Sequence, residues 1–152
     1  MATRLIRHSG CTIRAMEPRI QYAKTNDGVN IAYCSMGEGP ALIATSPAMF
    51  SNISLELRVP DIALWYERLA TNRRLVRFDF RGAGMSQRDM RDYSPEAFTS
   101  DIDAVVDSLQ LEQVDLLGIS APGQGVVAYA ARHPERVRRL ILWSAHQQPR
   151  DS

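Results

Sequence analysis

The chain has 152 residues, the length of one ordinary domain with little left for a second. It is 45% hydrophobic and 23% charged, a globular composition that argues against fibrous and intrinsically disordered classes. Eighteen basic against seventeen acidic residues give a net charge of +1, so no nucleic acid or anionic membrane partner is expected. All the basic residues except Lys24 are arginines. Two cysteines, Cys11 and Cys34, cannot make a disulfide framework, and no zinc-type spacing exists, so neither a metal nor another cofactor is expected. No apolar run approaches the ~20 residues that span a bilayer. The expectation is a soluble, cytoplasmic chain.

Residues 1–15 carry Arg4, Arg7 and Arg14 and no acid. That composition has something of an organellar transit peptide but lacks the apolar core of a secretory signal. The plainer reading is a disordered extension, with Met16 as the natural beginning of the domain. The domain is expected over residues 16–146, followed by a tail over 147–152.

From Glu17 onward, short apolar runs alternate with amphipathic stretches. Arg19 to Lys24 and Val29 to Cys34 each alternate with period two, and Asn26-Asp27-Gly28 between them is a tight-turn signal, so the pair predicts a hairpin. Gly37 to Pro40 is a second turn, and Ala41 to Thr45 reads as a central strand ended by Pro47. Pro60 and Asp61 open a helix whose Ile62, Trp65, Tyr66 and Leu69 share one face. Arg74 to Phe78 is a strand, Asp79 to Ser86 a turn, and residues 87–93 a solvated loop. Ser94-Pro95 starts a helix with Phe98, Ile102, Val105, Val106 and Leu109 at helical spacing. Val114 to Leu117 is a strand that runs into Gly118-Ile-Ser-Ala-Pro-Gly123. A small-residue helix over Gln124 to Arg132 stops at His133-Pro134, and Val137 to Trp143 is the last strand.

A hairpin followed by strand–helix units implies an α/β architecture: a mostly parallel sheet with an N-terminal antiparallel hairpin and helices on both faces. Right-handed crossovers place the turns after the parallel strands on one edge, where open sheets bind ligands. The turns Thr45–Phe50, Asp79–Ser86 and Gly118–Gly123 should therefore converge. Gly118, Ile119 and Ser120 after a strand and before a small-residue helix have the layout of a nucleophile elbow. Such a serine sits at a helix N-terminus, where free N–H groups favour developing negative charge. Pro122 occupies the second glycine position of that motif. Spacing alone leaves two readings open: an elbow, or a plain strand–helix turn capped by Ser120.

Three stretches together resemble the α/β-hydrolase family: Phe78-Asp-Phe-Arg-Gly-Ala-Gly-Met-Ser86, Val114-Asp-Leu-Leu-Gly-Ile-Ser120 and Ala130-Ala-Arg-His-Pro-Glu-Arg-Val-Arg-Arg-Leu-Ile-Leu142. The likeness runs from about Glu17 to Ala145. Gln21-Tyr-Ala-Lys-Thr25, Phe50-Ser-Asn-Ile-Ser-Leu-Glu56 and Trp65-Tyr-Glu-Arg-Leu-Ala70 look like a narrower group, hydrolase-like domains associated with adenylate cyclases and helix-turn-helix regulators. The resemblance implies that Ser120 is the nucleophile and the Ala121 N–H one oxyanion donor. The second donor would come from the turn after Thr45. The family commonly has His-Gly there, but this chain has Thr45-Ser46-Pro47-Ala48, so Ser46 or Ala48 must supply it.

Asp79 and Arg81 are read as holding their turn, by binding each other or nearby backbone. His133 is read as a helix-end cap, Cys34 as a packing residue, and Trp65 and Trp143 as core. A hydrolase of this family orders its triad serine, acid, histidine. After Ser120 the acids are Glu135 and Asp151, and no histidine follows Asp151. The triad is therefore incomplete in this chain, and the family's later C-terminal strands are missing. The expected function is that of an N-terminal portion of a serine hydrolase for small ester-like or acyl substrates, inactive by itself. The alternative is a non-catalytic sensory or ligand-binding domain. The expected partners are a small molecule and a missing C-terminal half or fused regulatory domain.

Overall fold

The computed structural model describes residues 5–8, 11–14, 19–45, 51–120 and 123–145. Within the expected N-terminal extension, β1 (Leu5–His8) and β2 (Cys11–Arg14) pair antiparallel as a two-stranded sheet of their own.

The main sheet has six strands in the order β3-β4-β6-β5-β7-β8. They are β3 (Gln21–Lys24), β4 (Asn30–Met36), β5 (Ala41–Ala44), β6 (Arg74–Phe78), β7 (Val114–Ile119) and β8 (Val137–Trp143). The β3–β4 hairpin closes where expected, with Gly28 at φ 90° supplying the turn that a side chain resists. β4 runs antiparallel to β6, and the β6, β5, β7 and β8 neighbours are parallel. The expected mixed α/β sheet is therefore present, with the predicted hairpin at its N-terminal edge.

Two faces of this sheet are covered by different helices. α3 (Pro95–Ser108) and α4 (Gly123–Arg132) enclose a core with Ile43, Val76, Phe78, Ile102, Val105, Leu116 and Val126. α1 (Ile53–Glu56) and α2 (Pro60–Leu69) cover the other face, with Cys34, Leu42, Leu75, Leu117 and Ile119 beneath Ile53 and Tyr66. Each large apolar side chain so enclosed contributes roughly 1.5–3 kcal/mol. Ser94 caps α3 by accepting from the Ala97 N–H at 3.2 Å, and Pro95 begins it, as the sequence predicts.

Two details differ from expectation, α1 and Trp143. α1 falls in a stretch where no helix is predicted. Its cap is Asn52, whose side chain accepts from Ser54 N–H at 3.1 Å and Leu55 N–H at 3.0 Å. Trp143 is not core: it is 56% exposed and leans on Trp65 of α2 with ring centroids 6.0 Å apart. β8 pairs only β7 among the described residues, and Leu140, Ile141 and Leu142 are exposed along it. None of the described helices is long and apolar enough to cross a membrane.

Candidate active site

The strand order reverses at β5. From β5 the chain passes through α2 to β6 on one side, then through α3 to β7 on the other. The carboxyl ends of β5 and β7 therefore flank a topological switch point, the place in an open α/β sheet where a crevice forms. Thr45 and Ser120 stand at those two ends.

Ser120 has φ 56°, in the left-handed region that a non-glycine residue rarely adopts. Its N–H donates to the Trp143 carbonyl at 3.0 Å, and its own carbonyl accepts from the Gly123 N–H at 3.0 Å. The turn is this tight because two glycines meet. A Cβ on Gly118 would lie 2.9 Å from Gly123 Cα and 3.1 Å from side-chain carbons of Leu142 and Val126. A Cβ on Gly123 would lie 2.7 Å from Ala145 Cβ. The close approach that the elbow motif needs is thus made by Gly123, one position after the motif's second glycine. Pro122 lies outside the described residues, as do both expected oxyanion donors, Ala121 and Ser46.

On the other side of the switch point, Thr45 is buried at the end of β5, against β7. Its N–H donates to the Leu117 carbonyl at 3.0 Å, and its Oγ1 accepts from the Ile119 N–H at 2.9 Å. One residue earlier, the Ala44 carbonyl accepts from Nη1 of Arg77. Arg77 is fully buried. It pairs with Glu56 Oε2 at 2.7 Å and stacks over the Tyr66 ring at 5.0 Å, and the Tyr66 hydroxyl donates to the same Glu56 oxygen at 2.6 Å. Burial pushes the Cys34 thiol up to about 11, which keeps it an unreactive packing residue, as expected.

The turn after β6 borders this region, and its charges are structural. Asp79 and Arg81 do not bind each other. The Asp79 carboxylate accepts from the Ile53 N–H at 3.2 Å and the Met85 N–H at 2.9 Å, and so ties α1 to the turn. A Cβ on Gly84 would lie 2.1 Å from Asp79 Oδ2, so that position tolerates only glycine. Arg81 reaches the other way, to Asp101 of α3 at 2.8 Å and Asp27 of the β3–β4 turn at 2.8 Å. Those two pairs move in opposite directions. Hydrogen bonding to Arg81 and Thr25 lowers Asp27 to about 2, whereas burial outweighs Arg81 and raises Asp101 to about 6.

His133, at the end of α4, lies 3.3 Å from Asp103 of α3 and 3.7 Å from Glu135, in keeping with a structural role. His146 and Asp151 lie outside the described residues. A cavity of about 150 Å³ lies elsewhere, between the β3–β4 turn and α3, where Lys24, Thr25, Asp103 and Asp107 line it. Among the described residues no cluster of histidine, cysteine or carboxylate side chains could hold a metal ion. Thr45 and Arg77 belong to no motif in the sequence. A threonine ending an apolar strand and an arginine on the same strand face as Leu75 were the available signals.

Comparison with known proteins settles the family. The alpha/beta hydrolase fold model matches residues 61–151, more than half of the chain. The chain belongs to the alpha/beta hydrolase fold family. This hydrolase-fold chain is 32% identical over 123 residues to the serine hydrolase BPHL of Mus musculus, covering 79% of the chain and 41% of that protein. It is 43% identical over 90 residues to a 2-hydroxymuconate semialdehyde hydrolase of Pseudomonas sp. (strain CF600), covering 55% of the chain and 32% of the relative. Among solved structures, a variant of the meta-cleavage product hydrolase CumD superposes with a TM-score of 0.73 at 26% identity, over 86% of this chain and 47% of that one. The alpha/beta hydrolase fold chain thus spans less than half the length of each of these relatives.

Proposed function

We propose that this chain is the N-terminal portion of a serine hydrolase in which Ser120 is the nucleophile. The observation that carries the reading is the left-handed backbone of Ser120 at the end of a central parallel strand, framed by the Gly118–Gly123 approach. Strain of that kind costs roughly 1–3 kcal/mol and persists where a function needs the side chain presented. Relatives named as hydrolases support the same chemistry. In it, Ser120 Oγ attacks the carbonyl carbon of a small ester or related acyl compound. The N–H groups of Ala121 and Ser46 hold the oxyanion, the leaving group departs with a proton, and water releases the acid. The proton acceptor and its orienting acid come from sequence or a partner chain beyond these 152 residues.

The likeness of the Phe50–Glu56 and Trp65–Ala70 stretches suggests a place among hydrolase-like domains associated with adenylate cyclases and helix-turn-helix regulators. In that setting the partner is a C-terminal half or a fused regulatory domain, and the location is cytoplasmic. A second reading is a non-catalytic ligand-binding domain. It is favoured by Pro122 at the motif's second glycine position and by Thr45-Ser46-Pro47-Ala48 where the family commonly has His-Gly.

A fluorophosphonate probe separates the two readings. The protein tested is the chain together with whatever its gene encodes after Ser152. Labelling that disappears in Ser120→Ala supports the hydrolase. A folded protein that stays unlabelled overturns it in favour of the binding domain.

A further inference from the structure

We infer that Thr45 is a positioning residue for Ser120, acting through the backbone of Ile119. In a regular parallel ladder a residue donates its N–H to one neighbour across the strand and accepts at its carbonyl from the residue two further on. Thr45 keeps the first half of this pattern, donating to the Leu117 carbonyl at 3.0 Å. The second half would have the Ile119 N–H donate to the Thr45 carbonyl. It donates instead to Thr45 Oγ1 at 2.9 Å. The Thr45 hydroxyl is itself oriented by the Leu117 carbonyl at 3.4 Å. A side chain thus stands in for the main chain at the last rung between β5 and β7. The buried Ile119 N–H is thereby paired without the Thr45 carbonyl.

The substitution has a consequence one residue on. Ser120 keeps an unfavourable φ only if its neighbours over-determine it. The Ser120 N–H is held by Trp143, its carbonyl by Gly123, and the preceding amide by Thr45. Of these three holds, Thr45 supplies the one from β5. It cannot drift, because Ala44 beside it is fixed by the buried Arg77. Valine has the shape of threonine without an acceptor, whereas serine keeps the acceptor.

The reactivity half of this proposal rests on Ser120 being a nucleophile; the clamp itself does not. Amide hydrogen exchange is measured by NMR in the 152-residue chain, and fluorophosphonate labelling rates in the protein extended past Ser152. Thr45→Val should speed exchange at Ile119 by about tenfold or more, since a buried donor loses its partner. It should slow labelling of Ser120 by a similar factor, and Thr45→Ser should restore both. Exchange at Ile119 unchanged in a folded Thr45→Val chain overturns the clamp. Faster exchange with an unchanged labelling rate overturns the positioning role. If the extended protein with Thr45 is not labelled at all, the hydrolase reading fails, and exchange at Ile119 alone decides whether Thr45 holds the turn.

Discussion

At Ser120 two energies compete, and the backbone shows which one prevails. A left-handed conformation costs an L-residue roughly 1–2 kcal/mol, while glycine there would lose about 0.5–1 kcal/mol more chain entropy on folding. The difference favours glycine by about 0.5–1 kcal/mol, yet the position holds a serine at φ 56°. Ser120→Gly should therefore raise the urea-unfolding free energy above that of Ser120→Ala by about that amount. Equal stabilities for the two variants would mean that the turn is relaxed, and the strain could not then be read as functional. The serine itself is legible from the Gly-x-Ser spacing. The close approach to Gly118 is less so, since the motif puts its second glycine at position 122, where this chain has proline, and the contact is made by Gly123. Motif spacing does not say that a glycine one position late can make the contact; the backbone of Gly118 and Gly123 does.

Among the elements, the strands and long helices were readable because their periodicity is set by burial. The run Arg74 to Phe78 predicts a strand, and Val76 and Phe78 do face one core while Leu75 faces the other. Arg77 shares the Leu75 side, and its burial could not be foreseen. The partners that make it tolerable, Glu56 and Tyr66, lie on two helices distant in sequence. α1 was missed because four residues carry no periodicity, although Asn52 is a preferred cap. The Arg81 network binds three elements together, and its two acids give it a pH dependence of known sign. Asp101 rises to about 6 in the folded chain from an ordinary value of 3.8. The native state therefore holds that proton longer than the unfolded chain, and stability from this group is lost as pH rises from about 4 to 6. Asp27, lowered to about 2, contributes stability above about 4 that is lost as pH falls toward 2. Urea-unfolding free energies measured from pH 4 to 7 should fall less steeply with pH in Asp101→Asn than in the parent chain. An identical slope in both would remove Asp101 as its source.

For the molecule as a whole, the open side of the sheet carries a prediction about behaviour in solution. β8 has a single strand neighbour among the described residues, and Leu140, Ile141, Leu142 and Trp143 are 39–56% exposed. A long apolar strand edge recruits other strands, and a lysine in it opposes that pairing. Sedimentation should find the 152-residue chain associating with concentration, and Ile141→Lys should shift it toward monomer. A parent chain that stays monomeric at high concentration would mean the edge is covered in solution. The same strand end carries an optical consequence. Trp65 and Trp143 are the chain's two tryptophans, and their rings stand 6.0 Å apart where α2 meets the tip of β8. All indole emission from this protein therefore originates at one corner of the sheet, beside the strand whose Trp143 carbonyl holds the Ser120 N–H. Whatever comes to cover that corner, a further strand or a second protein, would change the colour of the molecule's own fluorescence before any substrate was added.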